Sequence, residues 1–454
     1  MQRRVLYAAF CASFSFAACG SGGSDGPRNG ATAGSAGMAG NTSAIAGTGG
    51  SQATAAGSSA GGAAGIGSGG TSTGTAGGGA ASSSGTGGGS SGGNGGSAGG
   101  PAKQSGTPLV YIGGFGDFPV RTYELNKATG ALTQRGSGEA AGKSPSYLAL
   151  HPSAPYLYNV NEETGGVAGV TAHHIKADGT LEPLNHQQGT DNSPGSCNGS
   201  CGFTHLAVAP TGKLLMAASY DGGSVSVFPI NADGTLGAEK QKLDFGNQAE
   251  AHSVGFDPLG QFAWVPTLGL DRVQQLKLSA DGALSKNTPS DVQSAQNSGP
   301  RHIAVSANGK LAFVINETAS TMTPYAVSAD GKLTAGNTVS TLPQGATGET
   351  YGQHVELSPD GRFLYGSNVG HDSIVVFAVD QASGALTWLQ DQPSGGMWPR
   401  DFDVDPNGEV LVVANRDSSN LAVFKIGADG KLTPLGQPQK VPDQPTGVVV
   451  RYQQ

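Results

Sequence analysis

A small set of polar and charged residues in this chain keeps step with one long spacing. Ser146, Thr204, His252, Arg301, Gln353 and Arg400 each stand six residues before a turn residue, respectively Pro152, Pro210, Pro258, Ala307, Pro359 and Pro406. Glu162, Tyr220, Leu268, Glu317, Val369 and Arg416 each stand ten residues after those same markers. Positions that share a register within a repeat occupy equivalent places in successive units. On that basis His252, Arg301, Arg400, Glu162, Glu317 and Tyr220 are expected to converge on one site. Their types suit hydrolytic chemistry. Arginine is fixed in charge, and its planar fork fits a carboxylate, a phosphate or an oxyanion. Glu317 or His252 could serve as the base that activates water, with Arg301 answering the charge that develops.

The elements that position them follow from the repeat itself. The turn residues recur about every fifty residues, and each introduces a second apolar strand, then a third, then another turn. Those second turns read Ala177-Asp178-Gly179, Ala232-Asp233-Gly234, Ala280-Asp281-Gly282, Ala329-Asp330-Gly331 and Ala428-Asp429-Gly430, with Ala382-Ser383-Gly384 in the sixth unit. Asp-Gly suits the positive φ of tight hairpins. A period of that length with four short strands is the mark of a propeller blade. Six units open with a complete first strand, beginning at Tyr147, His205, Ser253, His302, His354 and Asp401. The stretch from Leu109 to Gly136 lacks one, while Thr446–Tyr452 is a strand with no continuation. Lending the last strand to the first unit closes the ring. The chain is therefore expected to be all-β, a seven-bladed β-propeller over 107–454. With both hairpin turns on one face, the two registers lie at the mouth of a funnel on the other.

Ahead of the propeller the sequence changes character. Arg3 and Arg4 precede an apolar run, Val5 to Phe16, too short to span a bilayer. This reads as an export signal over 1–18. Phe16-Ala17-Ala18-Cys19-Gly20 resembles a bacterial lipobox, which implies cleavage before Cys19 and acylation of its thiol; ordinary cleavage nearby is the alternative. Between Arg28 and Lys103 no residue is charged or aromatic. Residues 19–106 therefore read as a Gly/Ser/Ala-rich tether, reaching on the order of 50 Å. Outside the cytoplasm, Cys197 and Cys201 read as a small local disulfide rather than a metal site, since two thiolates cannot complete a zinc shell. No metal and no cofactor is expected. The formal charge of −8 forms no basic patch, which argues against nucleic acid. The chain reads as a monomer, touching membrane only through a lipid on Cys19, with its domain in the periplasm or at the surface.

The repeat resembles a known family, the seven-bladed lactonase propellers, which include bacterial 6-phosphogluconolactonases and fungal carboxymuconate-lactonizing enzymes. The resemblance runs in order through Tyr111-Ile-Gly-Gly, Ser144-Pro-Ser-Tyr-Leu-Ala-Leu-His-Pro, Leu157-Tyr-Asn-Val-Asn-Glu162, Ala218-Ser-Tyr-Asp-Gly-Gly, Gly299-Pro-Arg-His-Ile303, Ile315-Asn-Glu317, Ser358-Pro-Asp-Gly-Arg-Phe and Trp398-Pro-Arg400. It implies a lactone hydrolase with His252, Arg301 and Glu317 as catalytic residues. Arg400, Glu162 and Tyr220 join them as substrate-binding residues by register. Three positions depart from the family pattern: Val369 stands where an arginine is usual, Glu250 where a first histidine is, and Thr267 where an aspartate is.

These departures keep other functions in view. A non-catalytic propeller displayed to bind a glycan, peptide or protein is the main alternative, and a muconate-type cycloisomerase a weaker one. The expected ligand is a small lactone or other anion. An exported domain would not meet 6-phosphogluconolactone, a cytosolic metabolite. His205, His302 and His354, one position past the site register, read as structural hydrogen-bonders between blades, and Trp398 as packing. Glu356 and Asp403 read as solvated or paired with arginine. If the site is real, Arg301, Glu317 and His252 should lie within one small ligand of each other, beside a pocket of at least roughly 300 Å³.

Overall fold

The computed structural model describes residues 103–162, 168–190, 202–246, 248–279 and 281–453. The readings on the export signal, Cys19, the tether up to residue 102 and the Cys197–Cys201 pair lie outside them.

Seven antiparallel sheets form the blades, and apart from one short 3-10 turn at Leu268–Leu270 the described residues hold no helix. In each blade the first strand is innermost. The inner strands of blades two to seven are Leu148–Leu150, His205–Val208, Gly255–Phe256, Pro300–Val305, Tyr351–Leu357 and Pro399–Val404. Blade one is assembled from both ends of the repeat array. Thr107–Gly114, Val120–Leu125 and Leu132–Glu139 supply three strands, and Pro445–Gln453 pairs against Thr107–Gly114 as the inner one. Val110 faces Val450 and Ile112 faces Val448 in that ladder.

Second strands such as Leu311–Asn316 and Val410–Asn415 are buried at every residue. Each lies between two neighbouring blades, and a strand covered on both faces carries a continuous apolar run. Seven apolar clusters result, one at each junction between blades. The cluster that closes the circle joins Val410 and Val412 of blade seven to Val110 and Ile112 of blade one. Each such side chain contributes about 1.5–3 kcal/mol by leaving water.

The Gly of the second turn completes the junction. Tyr111, Tyr158, Trp264 and Tyr365 donate to the carbonyls of Gly179, Gly234, Gly331 and Gly430 in the next blade, at 2.8, 3.1, 3.0 and 3.0 Å. Gly331 has φ 75°, and a Cβ there would lie 2.2 Å from the Phe262 ring. Only glycine fits.

Every inner strand leaves one backbone edge without a ladder partner, and such edges need covering. Side chains of the preceding blade supply the cover. Ser253 donates to the Arg301 carbonyl (2.9 Å), Arg301 to the Gln353 carbonyl (2.6 Å), and Thr446 to the Ser146 carbonyl (3.1 Å). His205 Nδ1 accepts from the Val254 amide (3.3 Å), Glu356 from Val404 (3.0 Å) and Asp401 from Val448 (2.9 Å).

Candidate active site

The residues of the first register are aimed by two devices that the spacing alone does not reveal. In blade five Pro300 faces Asn316 while His302 faces Ile315, so Arg301 is the extra residue of a β-bulge. Arg400 is the extra residue in blade seven, between Pro399 opposite Asn415 and Asp401 opposite Ala414. A similar slip brackets Gln353. Bulges redirect side chains at the rim of a sheet. Two residues upstream the chain takes a left-handed step in four blades, at Ser144 (φ 47°), Glu250 (φ 51°), Gly299 (φ 64°) and Trp398 (φ 61°). Each step turns the strand into the channel just before Ser146, His252, Arg301 and Arg400.

The two arginines thus delivered each meet a glutamate of the second register. Arg301 Nε lies 2.8 Å from Glu317 Oε2, with the arginine side chain 3% exposed and the glutamate 18%. Arg301 Nη1 also donates to His302 Nε2 at 3.2 Å. Arg400 Nη2 lies 3.3 Å from Glu162 Oε2, reaching past blade one to a residue of blade two. Its guanidinium sits 4.8 Å from the centre of the Phe115 ring, and the Ser146 hydroxyl donates to the same Glu162 oxygen. Burial raises both glutamates above the ordinary carboxylate range, with Arg301 and Arg400 opposing the shift.

His252 is 1% exposed, and neither ring nitrogen has a side-chain partner among the described residues. Its ring stands edge-on to Tyr220 at 5.6 Å and against His302 at 5.3 Å. His302 touches Arg301, so Arg301, Glu317 and His252 form one contiguous group, as expected, and Tyr220 joins it. Below them the channel is plugged. Tyr147 stacks on His205 at 4.1 Å, His205 meets His302 at 5.1 Å, and His302 meets His354 at 5.1 Å. Burial holds His205, His252 and His302 well below the usual histidine range and His354 at about 3, with Arg301 pushing the same way. All four imidazoles are neutral at pH 7. The plug leaves a cavity of only about 10 Å³ beside Ser146, Thr204, Arg301 and Arg400, which Glu317 and His252 do not line, in place of the expected pocket of at least roughly 300 Å³.

The remaining expectations divide. Trp398 is packing, covered by the Arg416 guanidinium at 4.1 Å. Glu356 and Asp403 are neither solvated nor paired with arginine. They sit lower in the channel and accept from the backbone amides of Val404 and Val450, at 3.0 and 2.6 Å. The inner strand runs inward there, so its later residues lie far from solvent. Burial drives both carboxyls well above their usual range, with Asp403 adding to the rise of Glu356, and Asp401 and Asp405 to that of Asp403. Of the departing positions, Val369 is a buried apolar residue and Thr267 spends its hydroxyl on the Arg272 carbonyl at 2.9 Å.

Phe115, Tyr147 and Asp401 went unnoticed in the sequence. Phe115 follows the second strand of blade one as Glu162 follows that of blade two, but blade one has no first turn from which to count. Tyr147 and Asp401 lie one residue past the first register. Asp401 is 3% exposed, and burial pushes its carboxyl up to about 7 against the Val448 and Phe402 amides and the two arginines.

Residues 109–450 match the profile of a family described as lactonase, 7-bladed beta-propeller. The chain is 31% identical over 331 residues to a 6-phosphogluconolactonase of Serratia proteamaculans, covering 72% of this chain and 95% of that one. It is 32% identical over 350 residues to a 6-phosphogluconolactonase of Bacillus subtilis, covering 73% and 95%. Among solved structures, a periplasmic gluconolactonase of Pseudomonas aeruginosa superimposes with a TM-score of 0.67 at 28% identity, over 76% of this chain and 99% of that chain.

Proposed function

Because the chain belongs to the seven-bladed β-propeller lactonase family, we propose that it opens a small unphosphorylated sugar lactone at the mouth of its channel. The observation that carries the reading is the buried Arg301–Glu317 pair at 2.8 Å, which sets a carboxylate base beside a fixed cation. Glu317 takes a proton from water as the water oxygen bonds to the lactone carbonyl carbon. The carbonyl oxygen gains the negative charge, and the Arg301 guanidinium meets it. The carbonyl then reforms, the ring C–O bond breaks, and the ring oxygen takes the proton from Glu317. The product is a hydroxy acid, which releases one proton to solvent at neutral pH.

A carboxyl raised by burial is a better base at neutral pH than an ordinary one. That argues for Glu317 over His252, whose depressed basicity leaves it a neutral hydrogen-bonding partner of the substrate. Arg400 and Glu162, with Tyr220 beside His252, would hold the sugar hydroxyls. The charge balance supports an unphosphorylated substrate. Each arginine is already answered by a glutamate, and the four imidazoles are neutral, so little positive charge is left over for a phosphate dianion. The export signal read over residues 1–18, if it acts as one, fits the same choice.

The test is a lactone panel, phosphorylated and not, with acid release from the purified protein followed continuously. Proton release above the uncatalysed rate for unphosphorylated lactones supports the reading. No release with any lactone would leave a binding propeller as the better account.

A further inference from the structure

Each of the two arginines at the mouth follows the same anchored step. Gly299 and Trp398 stand two residues before Arg301 and Arg400, both in the left-handed region, at φ 64° and 61°. An aspartate of the preceding blade takes the amide of each. Gly299 donates to Asp271 Oδ1 at 2.8 Å, and Trp398 donates to Asp372 Oδ1 at 2.9 Å. Asp271 Oδ2 takes the Asn297 amide as well, at 2.7 Å. On the other side the Gly299 carbonyl accepts from the Glu317 amide at 2.6 Å, and the Trp398 carbonyl from the Arg416 amide at 2.9 Å. Gly299 is thereby clamped between Asp271 and the backbone of Glu317.

Asp271 and Asp372 share a third register, thirteen residues after Pro258 and Pro359. Gly223, Ser320 and Ser419 hold it in blades three, five and seven, and all five residues are left-handed, with φ between 47° and 60°. Each gives its backbone carbonyl to an amide of the loop that leaves its blade, at 2.8–3.0 Å from Phe245, Ser294, Thr341, Ser394 and Val441 in turn. That contact is common to all five; the carboxyl group is not. Among the described residues of this register it occurs in blades four and six, and the blades that follow them are the two that carry an arginine six residues before the turn.

The need for an anchor is plainest at Trp398, where a bulky residue at φ 61° is strained. The Asp372 oxygen and the covering Arg416 guanidinium at 4.1 Å hold it there. Gly299 carries no such strain, but glycine alone does not fix the direction of the chain. Immediately afterwards the bulge breaks the ladder, so the step rather than the sheet aims the arginine. We propose that Asp271 and Asp372 are positioning residues, whose side-chain oxygens fix the left-handed steps that aim Arg301 and Arg400 respectively.

The test removes the oxygens without straining the backbone. Glycine takes a φ near 54° freely, as Gly223 does at 60°, so Asp271→Gly and Asp372→Gly lose the acceptor alone. In the purified protein, amide exchange followed by NMR should speed up at least about tenfold at Gly299 in the first variant and at Trp398 in the second. Phe313 and Val412, buried in second strands, should keep their protection. The kinetic arm rests on the lactonase reading. With an unphosphorylated sugar lactone, Asp271→Gly should lower kcat about ten- to hundredfold, since Arg301 meets charge that develops only in the transition state. Asp372→Gly should instead raise KM about tenfold and keep kcat within about threefold, since Arg400 holds the bound sugar. Asp372→Asn keeps an accepting oxygen and tolerates the left-handed backbone, so it should restore both the Trp398 amide and KM. General loosening of the fold would move neither KM nor one amide in isolation. Unchanged exchange at both amides overturns the proposal, as does an Asp372→Asn variant as impaired as Asp372→Gly. Loosened amides in a protein that opens no lactone would uphold the anchoring and remove the lactonase reading; lactone opening that neither glycine variant impairs would do the reverse.

Discussion

Carboxyl groups are buried at both ends of the central channel, and the two ends treat them differently. At the mouth Glu317 and Glu162 each meet a guanidinium, at 2.8 and 3.3 Å. Lower down, Glu356 and Asp403 meet backbone amides and each other, with no arginine or lysine in an ion pair with either among the described residues. Both arginines of the mouth ride on bulges, while Glu356 and Asp403 occupy regularly paired positions of their strands. The lower carboxyls finish the free edge of an inner strand, which is a structural task. The upper ones are held beside fixed cations in irregular backbone, at the cost of ladder hydrogen bonds. The ladder is broken where a side chain has to be aimed, and kept where a side chain only has to fill an edge.

The sharpest way to break this contrast is at Arg301. Arg301→Ala should lower kcat/KM by about a hundred- to thousandfold, roughly 3–4 kcal/mol of transition-state stabilisation. Glu317→Gln should cost a similar factor if Glu317 is the base, and its loss should not be restored by raising the pH. A rate within about threefold of wild type in both would mean that the mouth pairs are as structural as the lower ones.

His205 lies between the two ends, stacked on Tyr147 and accepting from the Val254 amide. His205→Ala should lower stability by about 2–3 kcal/mol, through a cavity and an orphaned donor, and change the rate little. Calorimetry and initial rates separate the two effects. A large loss of rate with an unchanged melting temperature would extend the catalytic region into the plug.

Glu356→Gln with Asp403→Asn should affect stability alone, and in a pH-dependent way. Their carboxyls are raised in the folded protein, so the folded state binds more protons than the unfolded one above pH 4. The stability they confer is present at low pH and is lost as the pH rises toward their folded values. The double variant should therefore melt at least about 2 °C higher than wild type at pH 8, with the difference vanishing near pH 4. An advantage of equal size at both pH values would show that the two groups are not protonated together in the fold.

The smallest effect on chemistry is expected at Cys19. Cys19→Ser should abolish metabolic labelling by a fatty-acid analogue and leave kcat/KM unchanged. Equal labelling of variant and wild type would remove the lipid anchor from the account.

The blade count, the borrowed closing strand and the hairpin glycines were all legible in the sequence, because each depends on local chemistry repeated seven times. Val448 opposite Ile112 follows from an apolar strand left over at one end and a strand missing at the other. Bringing Arg301, Glu317 and His252 together was legible for the same reason: equal offsets within a repeat become equal positions in a ring. Pairing was not. Nothing in the spacing says that Arg301 should bond within its own blade while Arg400 reaches across another to Glu162, since bulge direction and side-chain reach are tertiary. Glu356 and Asp403 were misread because a charged residue in a strand suggests water or a counterion. The third possibility, an unpaired inner edge with amides to satisfy, is visible only once the ring is closed.

One contact at the edge of the described chain has a bearing on how the domain meets its surroundings. Lys103 reaches Glu409 at 2.6 Å, and the Gln104 backbone exchanges hydrogen bonds with the Asn407 side chain at 2.7 and 2.9 Å. Those partners belong to the hairpin turn of blade seven, on the face away from Arg301 and Arg400. The first described residues are thus stitched to the blind side of the disc. Two residues that add nothing to the chemistry thereby cover a turn of blade seven, and the approach to the two arginines is left clear of them.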